Sequence, residues 1–466
     1  MKDASGTAVK RYIVLVISTA TGFITPFLSS AVNVALPTIG REFATEAVVM
    51  AWVTTIYFLS VAVVQVPCGR LADIYGRKKL FIIGLLLTIL ASSLGAFAGS
   101  VVMLLSSMAL MGIGSGIMFN NSVSILTSVF PADRRGRALG IATAGTYTGL
   151  SLGPFLGGVL TKTFGWQSIF ILCGFLTVAL LALVFYVLKG EWREAAGEKF
   201  DIIGACTYAV SIVLFMYGFS SLPEVLGIIL FLLGAVGFTF FARWEARTDS
   251  PVFDLSLFQK NKAFFFSNLA MFISYISTFA ISFLLSLYLQ YIKGLPPQTA
   301  GLVLISATVL MAIFTPISGR VSDKIEARLV ASVGMAFSCV ALLLLAFLSD
   351  ATPLWFIIVA LAINGLGLGI FSSPNTNAIM GSVAKKSLGV AAGTLGTMRT
   401  AGMMVSMGIM MILFSLHIGQ AEITPVYYPQ FLTSVKTGFS IFTVLCICGL
   451  LCQLVARRAD RALKSG

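Results

Sequence analysis

Residues 69–79 read GRLADIYGRKK, a segment that places a carboxylate between two glycines and ahead of three consecutive basic side chains. A glycine lets two helices approach closely, and a carboxylate such as Asp73 can bind a helix N-terminus and nearby guanidinium groups. Such a segment can hold two helix ends together and release them again, which is the chemistry of a gate. The alternative is that the basic residues only fix the loop on one side of a membrane. The predicted gate residues are Gly69, Arg70, Asp73, Gly76, Arg77 and Lys78.

The same pattern recurs 250 residues later, where residues 319–328 read GRVSDKIEAR. Gly319, Arg320 and Asp323 match the glycine, the arginine and the aspartate of the first segment and are added to the predicted gate. An internal repeat of this kind predicts two similar halves. Parallel repeats are typical of transporters that move one half against the other around a central site.

A second glycine pattern lies in residues 145–160, which read GTYTGLSLGPFLGGVL. Three glycines recur at every fourth residue and share one face of a helix, and the proline that follows removes a backbone hydrogen bond and bends the helix. The stripe predicts close helix packing, which we expect between the two halves. The residues of interest in this helix are Gly145, Gly149, Gly153, Pro154, Gly157 and Gly158.

Composition decides the class of protein that carries these motifs. Of the 466 residues, 58% are hydrophobic and 11% are charged, whereas an ordinary soluble domain is about 45–50% apolar and about 25% charged. Unbroken apolar runs such as residues 81–98 indicate membrane-spanning helices, since a barrel would show short segments of alternating polarity. The sequence therefore predicts an all-α polytopic membrane protein, and no enzymatic activity is expected.

Fourteen transmembrane helices are predicted, and an even number places both termini on the same side. On that side lie 26 of the 31 Lys and Arg residues, so the positive-inside rule predicts cytoplasmic termini. The net charge of +13 is thus a signal of topology, and no nucleic-acid partner is expected. The predicted spans are 12–35, 48–66, 80–98, 101–129, 138–160, 168–188, 202–219, 225–241, 263–289, 299–317, 329–348, 354–381, 388–416 and 435–456.

The repeat and the number of spans together predict the domain organisation. Residues 1–188 are expected to form an N-terminal six-helix bundle, and residues 263–466 a C-terminal one. Residues 189–262 would supply two linker helices, spans seven and eight, with flanking cytoplasmic loops. The predicted fold is therefore two six-helix bundles plus two inserted central helices.

Polar side chains inside the spans are candidates for a substrate cavity, because a polar group in lipid is costly without a partner. Arg399 lies inside span thirteen, where an uncompensated cation costs at least ~2.5–3.5 kcal/mol. It either contacts an anionic substrate or a polar gating network, or it makes a structural bond to the facing helix. The cavity candidates are Asn33, Tyr57, Gln65, Asn120, Tyr147, Asn268, Asn364, Asn375, Asn377 and Arg399.

Residues 69–79 resemble the loop signature of the major facilitator superfamily, and residues 145–160 are similar to its antiporter signature. Four further segments resemble the fourteen-helix drug:proton antiporter branch, which includes pumps for antiseptics and tetracycline. The resemblance implies an exporter whose loop cluster locks the cytoplasmic side and breaks when the transporter turns inward. The further segments are VNVALPTI (32–39), FGWQSIF (164–170), NGLGLGIFSSPNTNAI (364–379) and GTLGTMRTAGMMVSMG (393–408).

The sequence departs from this branch at positions where charges are expected. Family members commonly have an aspartate at the position of Leu28 and an arginine at that of Met108, and Gln167 replaces the usual arginine of its segment. No carboxylate is expected inside a span, although proton-coupled pumps need a titrating group in the cavity. Asp73 and Asp201, both near cytoplasmic span ends, are therefore the candidates for carrying protons.

The expected function is secondary active export of small amphipathic compounds, of the multidrug efflux type, by alternating access and in exchange for protons. The expected partners are a small-molecule substrate, protons and the lipid bilayer, and we expect a monomer in a prokaryotic plasma membrane. No residue spacing resembles a metal site or a nucleotide-binding loop, so no cofactor and no metal are expected. Two alternatives stay open: export of a native metabolite or lipid-like anion that is not coupled through cavity carboxylates, and a non-transporting membrane sensor or scaffold.

Overall fold

The fold is given by a computed structural model, which describes residues 2–43, 47–188, 190–222, 224–248, 258, 261–295, 297–418 and 425–465. Every regular element in these ranges is helical, and fourteen long helices follow the predicted spans in order, which confirms the predicted fold class. The helices are α1 (Lys2–Phe43), α2 (Ala47–Tyr75), α3 (Arg77–Ala96), α4 (Val101–Val129), α5 (Ala132–Phe164), α6 (Gln167–Val187), α7 (Ile202–Ser220), α8 (Val225–Glu245), α9 (Lys262–Thr278, continued by Ala280–Leu287 and a π-helical turn over Tyr288–Ile292), α10 (Pro297–Ser322), α11 (Ala327–Ala346), α12 (Leu354–Gly381), α13 (Leu388–His417) and α14 (Tyr428–Ser465).

Thirteen of the described helices are both long and apolar enough to cross a bilayer. α5 has 33 residues, which is long enough, but its glycine, threonine and terminal charged residues make it less apolar than the others. Small residues are common in transmembrane helices because they let neighbouring helices pack closely. The sequence of α5 thus favours helix packing over contact with lipid.

Several helices continue past the predicted span ends, because the backbone stays helical where the apolar run stops. Span two is predicted to end at residue 66, whereas α2 continues to Tyr75 and takes in most of the gate segment. Span eight is predicted to end at residue 241, whereas α8 continues to Glu245. Asp73 and Glu245 thus lie in the last turn of helices that can cross a bilayer.

The chain divides into two compact units. The first turns of α13 belong to the first unit, although they are distant in sequence from its other helices. The predicted domain boundaries at residues 188 and 262 stay a prediction. The first unit comprises Met1–Ala209, Trp244–Asp254 and Val383–Thr397, and the second comprises Val210–Arg243, Leu255–Ser382 and Met398–Gly466.

Each unit has its own helix packing. In the first unit, α1 packs along α5, while α4 packs against α2 and α3, and α3 also contacts α6. In the second unit, α12 packs against α10 and α11, and α14 packs against α9 and α11. The core of the first unit includes Leu28 and Met108, which are each 1% exposed and share an apolar cluster with Phe27 and Phe170. Apolar side chains thus fill the two positions where the antiporter branch has opposite charges.

Candidate functional site

The predicted gate segment forms the end of α2, a one-residue turn and the start of α3. Gly76 makes this turn with a φ of 118°, a backbone conformation that residues with a Cβ rarely adopt. A Cβ at Gly76 would also lie 2.4 Å from Cδ of Glu191. Glycine is therefore required here for backbone conformation and for space, and the turn brings Asp73 next to Arg77.

Asp73 and Arg77 form an ion pair whose side chains are both fully buried. Oδ1 of Asp73 accepts hydrogen bonds from Nε of Arg77 at 3.0 Å and from Nη2 at 2.8 Å. The guanidinium also donates to Oγ of Ser128 at 2.5 Å and to the backbone oxygen of Lys385 at 2.8 Å. Withdrawing two charges from water is costly, and hydrogen bonds to the remaining polar atoms offset that cost.

The second oxygen of the Asp73 carboxylate binds the N-terminus of α13. The backbone N–H of Gly389 donates to Oδ2 at 3.1 Å, and that of Val390 donates at 3.4 Å. The first N–H groups of a helix have no partner within the helix and carry its partial positive charge, so a carboxylate is favoured there.

Glycines on both helices make this contact possible. A Cβ on Gly69 would lie 2.4 Å from the backbone oxygen of Gly389, and a Cβ on Gly389 would lie 2.4 Å from that of Gly69 and 2.7 Å from Oδ1 of Asp73. These separations are shorter than real Cβ contacts. The sequence predicts Gly69 and Asp73 as gate residues, but not their partner Gly389.

The linker between α6 and α7 covers the same turn. Glu191 accepts hydrogen bonds from the backbone N–H groups of Lys78 at 2.8 Å and of Lys79 at 3.1 Å, so its carboxylate lies at the N-terminus of α3. The N–H of Arg77 donates to the backbone oxygen of Trp192 at 3.1 Å. The N–H of Ala195 in turn donates to the backbone oxygen of Asp73 at 3.0 Å.

Two predicted gate side chains also bind this linker. Arg70 forms an ion pair with Glu198, and Nζ of Lys78 donates to the backbone oxygen of Leu188. Sequence reasoning missed Glu191 and Glu198. The signal that could have found them is the presence of acidic residues in a loop that is predicted to lie on the same side as the basic segment 69–79.

The second copy of the motif is built differently. Gly319 is buried near the end of α10, Asp323 is half-buried, and Arg320 is exposed. Ala327 stands where the repeat would place the counterpart of Arg77, and the buried basic residue is Arg328, one position later. Arg328 donates to Oγ of Ser267 and to the backbone oxygen of Ala378, both at 3.4 Å.

The glycine stripe of α5 packs on α1. A Cβ added at any of its four members would lie 2.4–2.7 Å from atoms of α1, whereas a Cβ at Gly158 would lie 3.8 Å from its nearest neighbour. Pro154 is exposed within the helix. The expectation that the stripe packs between the two halves is wrong for these glycines, because α1 and α5 belong to the same unit. The stripe consists of Gly145, Gly149, Gly153 and Gly157.

Five of the predicted cavity residues lie in the first unit, where two of them are brought together. Nδ2 of Asn120 donates to the backbone oxygen of Gln65 at 2.8 Å. Within the described residues, Oδ1 of Asn120 and Oε1 of Gln65 are buried acceptors without a hydrogen bond. Tyr57 and Tyr147 are each buried, whereas Asn33 is exposed and its Oδ1 accepts a hydrogen bond from Thr54.

The other five cavity residues lie in the second unit. Asn375 donates to the backbone oxygen of Ser267 at 3.2 Å, and Asn268 donates to that of Phe264 at 3.0 Å. Asn377 donates to Oγ of Ser322, and Arg399 is half-buried. Across the described residues, the amide oxygens of three of these side chains are buried without a hydrogen-bond donor; they belong to Asn268, Asn364 and Asn375.

Two further carboxylates meet where α7 begins and α8 ends. Asp201 accepts hydrogen bonds from the N–H of Gly204 at 2.9 Å and from Nε1 of Trp244 at 2.8 Å. Glu245 is 3% exposed. A Cβ at Gly204 would lie 2.3 Å from Oε1 of Glu245 and 2.6 Å from Oδ2 of Asp201, so the two carboxylates flank one glycine. Sequence reasoning missed Glu245 because the apolar run of span eight stops four residues earlier.

Comparison with known families and structures points to one group of proteins. The family model described as Major Facilitator Superfamily matches residues 19–258 and 268–466. The crystal structure of the human organic anion transporter MFSD10 (TETRAN) superposes with a TM-score of 0.71 and covers 95% of this chain and 99% of that chain. At 13% sequence identity this likeness concerns the fold.

Two curated bacterial proteins are similar along most of their length. The riboflavin transporter RibZ of Clostridioides difficile is 28% identical over 455 residues, which is 97% of this chain and 99% of that protein. The multidrug resistance protein Stp of Mycobacterium tuberculosis is 28% identical over 408 residues, which is 85% of this chain and 75% of that protein.

The glycine stripe yields a matched pair of variants on one helix. We expect Gly149→Ala to destabilise the protein by about 1–3 kcal/mol, because the new methyl group overlaps the backbone of Phe23. Gly158→Ala has room for its methyl group and should be neutral or slightly stabilising. Thermal unfolding of the purified protein in detergent checks both. Equal unfolding temperatures for the two variants would contradict the packing described for α5.

The buried ion pair yields a second prediction. Asp73→Asn leaves the charge of Arg77 uncompensated, so we expect a loss of about 3–5 kcal/mol in the free energy of unfolding. Asp133→Asn is the matched control, since Asp133 pairs with Arg134 at 3.6 Å with both side chains largely exposed. Adding Arg77→Gln to Asp73→Asn should recover part of the loss. A loss no larger than that of the control would show that the ion pair is not stabilising.

Proposed function

The chain belongs to the major facilitator superfamily and is a multi-pass membrane transporter of small molecules, and from this premise we propose that it exports small amphipathic compounds by alternating access in exchange for protons. The observation that carries the proposal is the Asp73 carboxylate bound to the N-terminus of α13. This contact is made of charge and hydrogen bonds between two glycine-packed helices, with no covalent link, so it can be broken and formed again in each transport cycle.

The gate role rests on how many interactions depend on one side chain. Moving α13 away from α2 would remove both N–H donors of Asp73 and one acceptor of Arg77, the backbone oxygen of Lys385. Water that enters the opened gate would replace these partners. The closed and open forms can therefore differ by little in free energy, which a cyclic transporter needs.

Export of amphipathic compounds is supported by three features. The glycine-rich α5 matches an antiporter signature, and one relative bears the name of a multidrug resistance protein. The predicted cavity residues are amides, tyrosines and one arginine, which suits ligands that are mostly apolar. The buried amide oxygens could accept hydrogen bonds from N–H or O–H groups of a substrate. A scaffold would need neither these acceptors nor a gate.

Proton coupling would have to use carboxylates outside the usual cavity positions. Leu28 and Met108 cannot titrate, and both lie in the apolar core. Asp73 is one candidate carrier, because the gate movement changes its surroundings directly. Asp201 is the other, because it lies at the start of α7, where the buried carboxylate of Glu245 flanks the same glycine.

The orientation and location follow from the distribution of charge. We propose that both termini and the gate face the cytoplasm, since 26 of the 31 basic residues lie on that side of the predicted spans. The bacterial relatives support a prokaryotic plasma membrane. A monomer holds two repeats and both parts of the gate, so we propose that it is the transporting unit.

Transport of a native metabolite is the second candidate function. The similarity to a riboflavin transporter extends over 97% of the chain, and the buried amide acceptors suit a ligand that carries several N–H and O–H groups. A site built to bind such groups rejects ligands that lack them, because its polar atoms would then stay unpaired.

A proton-gradient assay tests efflux and coupling together. In inverted membrane vesicles that are acidic inside, we expect ethidium or tetraphenylphosphonium to collapse the gradient, as reported by a pH-sensitive dye, and empty vesicles to show no effect. Asp201→Asn with Glu245→Gln should reduce the proton flux if that pair carries the proton, whereas Asp133→Asn should not. Accumulation of the cation with an unchanged gradient would contradict proton coupling. No response to any cation would contradict multidrug efflux.

The amide acceptors allow the second candidate to be tested. Uptake of labelled riboflavin into the same vesicles should be competitive with any cation that shares its site. Gln65→Met keeps the side-chain size but removes the acceptor, so we expect it to weaken riboflavin transport about 10-fold or more and cation transport much less. Equal effects on both ligands would contradict a role of Gln65 in recognising hydrogen-bond donors.

A further inference from the structure

Tyr208 connects the inserted helix α7 to two helices of the proposed gate. Its side chain is 4% exposed, and its hydroxyl donates to the backbone oxygen of Ala62 in α2 at 3.1 Å. The same oxygen lies 3.2 Å from Oγ1 of Thr397 in α13, whose hydroxyl can donate to it. One phenol thus links α2, α7 and the part of α13 that belongs to the first unit.

The linker ahead of α7 holds the other end of the gate. Glu191 binds the N-terminus of α3, Ala195 binds the backbone of Asp73, and Glu198 pairs with Arg70. None of these contacts was expected from the sequence, which assigns the segment to a connecting role.

We propose that the segment from Glu191 to Tyr208 is a brace that holds the gate closed, with Glu191 and Tyr208 as its positioning residues. This proposal rests on the proposed role of Asp73 and α13 as the gate. It gives a role to the inserted helices. Two six-helix bundles could move against each other without these helices.

The spacing of the contacts explains how a brace would act. Ala62 lies seven residues before Gly69 on α2, and Thr397 lies eight residues after Gly389 on α13. At 1.5 Å per residue, the Tyr208 contact is about 10–12 Å deeper than the Gly69–Gly389 contact. Because α2 and α13 are held together at two positions along their length, they cannot separate by rotating about only one of these contacts. Opening therefore requires that Tyr208 and the Asp73 cluster release together.

Close packing between the two contacts strengthens the brace. A Cβ at Gly393 would lie 2.4 Å from the backbone oxygen of Gln65, and a Cβ at Gly396 would lie 2.7 Å from its Nε2. α2 and α13 are thus closely packed at successive turns between the Asp73 contact and the Tyr208 contact. A small displacement of α7 would be transmitted to α2 and α13 along this contact, because close-packed helices do not deform continuously.

Two single-cysteine reporters can test the brace in a chain whose natural cysteines are replaced by alanine. Ser124→Cys reports on the gate, since Ser124 is fully buried and its Oγ lies 3.4 Å from the backbone oxygen of Leu388. Thr54→Cys reports on the opposite end of α2, about 22 Å from Gly69 at 1.5 Å per residue. Labelling by a polar maleimide is followed in nanodiscs, where the reagent reaches both ends.

We expect Tyr208→Phe to raise the labelling rate of Ser124→Cys about 3- to 10-fold. The reason is that the substitution removes one or two hydrogen bonds that favour the closed gate, so the open gate becomes more populated. The labelling rate of Thr54→Cys should fall, because a transporter that opens at one end closes at the other. Tyr186→Phe is the matched control, since Tyr186 is 85% exposed, and should change neither rate. Thr397→Val should act in the same direction as Tyr208→Phe, and the two together should add little.

Other outcomes overturn the proposal. Unchanged rates in Tyr208→Phe would show that the phenol does not hold the gate, and faster labelling at both reporters would show a general loss of stability. Labelling needs no substrate, so the brace is tested even if the protein exports none of the compounds tried. Conversely, normal cation export with unchanged labelling would reject the brace and leave the proposed function intact.

Discussion

A carboxylate and a guanidinium that are both withdrawn from water need a partner for each of their polar atoms, and this requirement shapes the structure around Asp73. Asp73 lies in the last turn of α2 and Arg77 is the first residue of α3, so the turn at Gly76 brings the two charges together. The remaining partners must come from other segments: Ser128 from α4, Lys385 from the turn just before α13, and Gly389 and Val390 from the start of α13. A single ion pair thus fixes where four separate segments of the chain come together.

The membrane imposes the second constraint, because a charge in its interior is costly wherever it is not paired. The chain meets this constraint by placing the ion pairs of the described residues at helix ends and in loops, whereas neutral amides and one half-buried arginine, Arg399, lie within the helices. Leu28 and Met108 follow the same logic, since they replace a possible pair of opposite charges with apolar side chains in one cluster. Replacing a buried ion pair by apolar residues of similar volume is often neutral or stabilising, provided both members are replaced.

Local sequence features predict the helices and the gate residues, but not the partners of those residues. The fourteen spans and the positions of Asp73 and Arg77 follow from apolar runs and motif spacing, which act over a few turns. Gly389 lies 316 residues from Asp73, and no local pattern in the sequence encodes that contact. Glu191 and Tyr208 escape prediction for the same reason. The glycine stripe of α5 is an intermediate case, in which the packing face is predicted and its partner α1 is not.

The position of the charged groups has a consequence for how transport can be driven. Asp73, Arg77, Asp201 and Glu245 all belong to the first unit and lie at the predicted cytoplasmic ends of their helices. The amide acceptors that we propose for substrate recognition lie deeper in the helices, so on this proposal they are separated from the charged groups along the helix axis. A substrate that binds among amides does not have to compete with a proton for the same carboxylate. The proposed function then couples the two through conformation: the substrate and the proton would each bias the movement of α13 on α2, and the charge of the substrate could vary without changing the coupling.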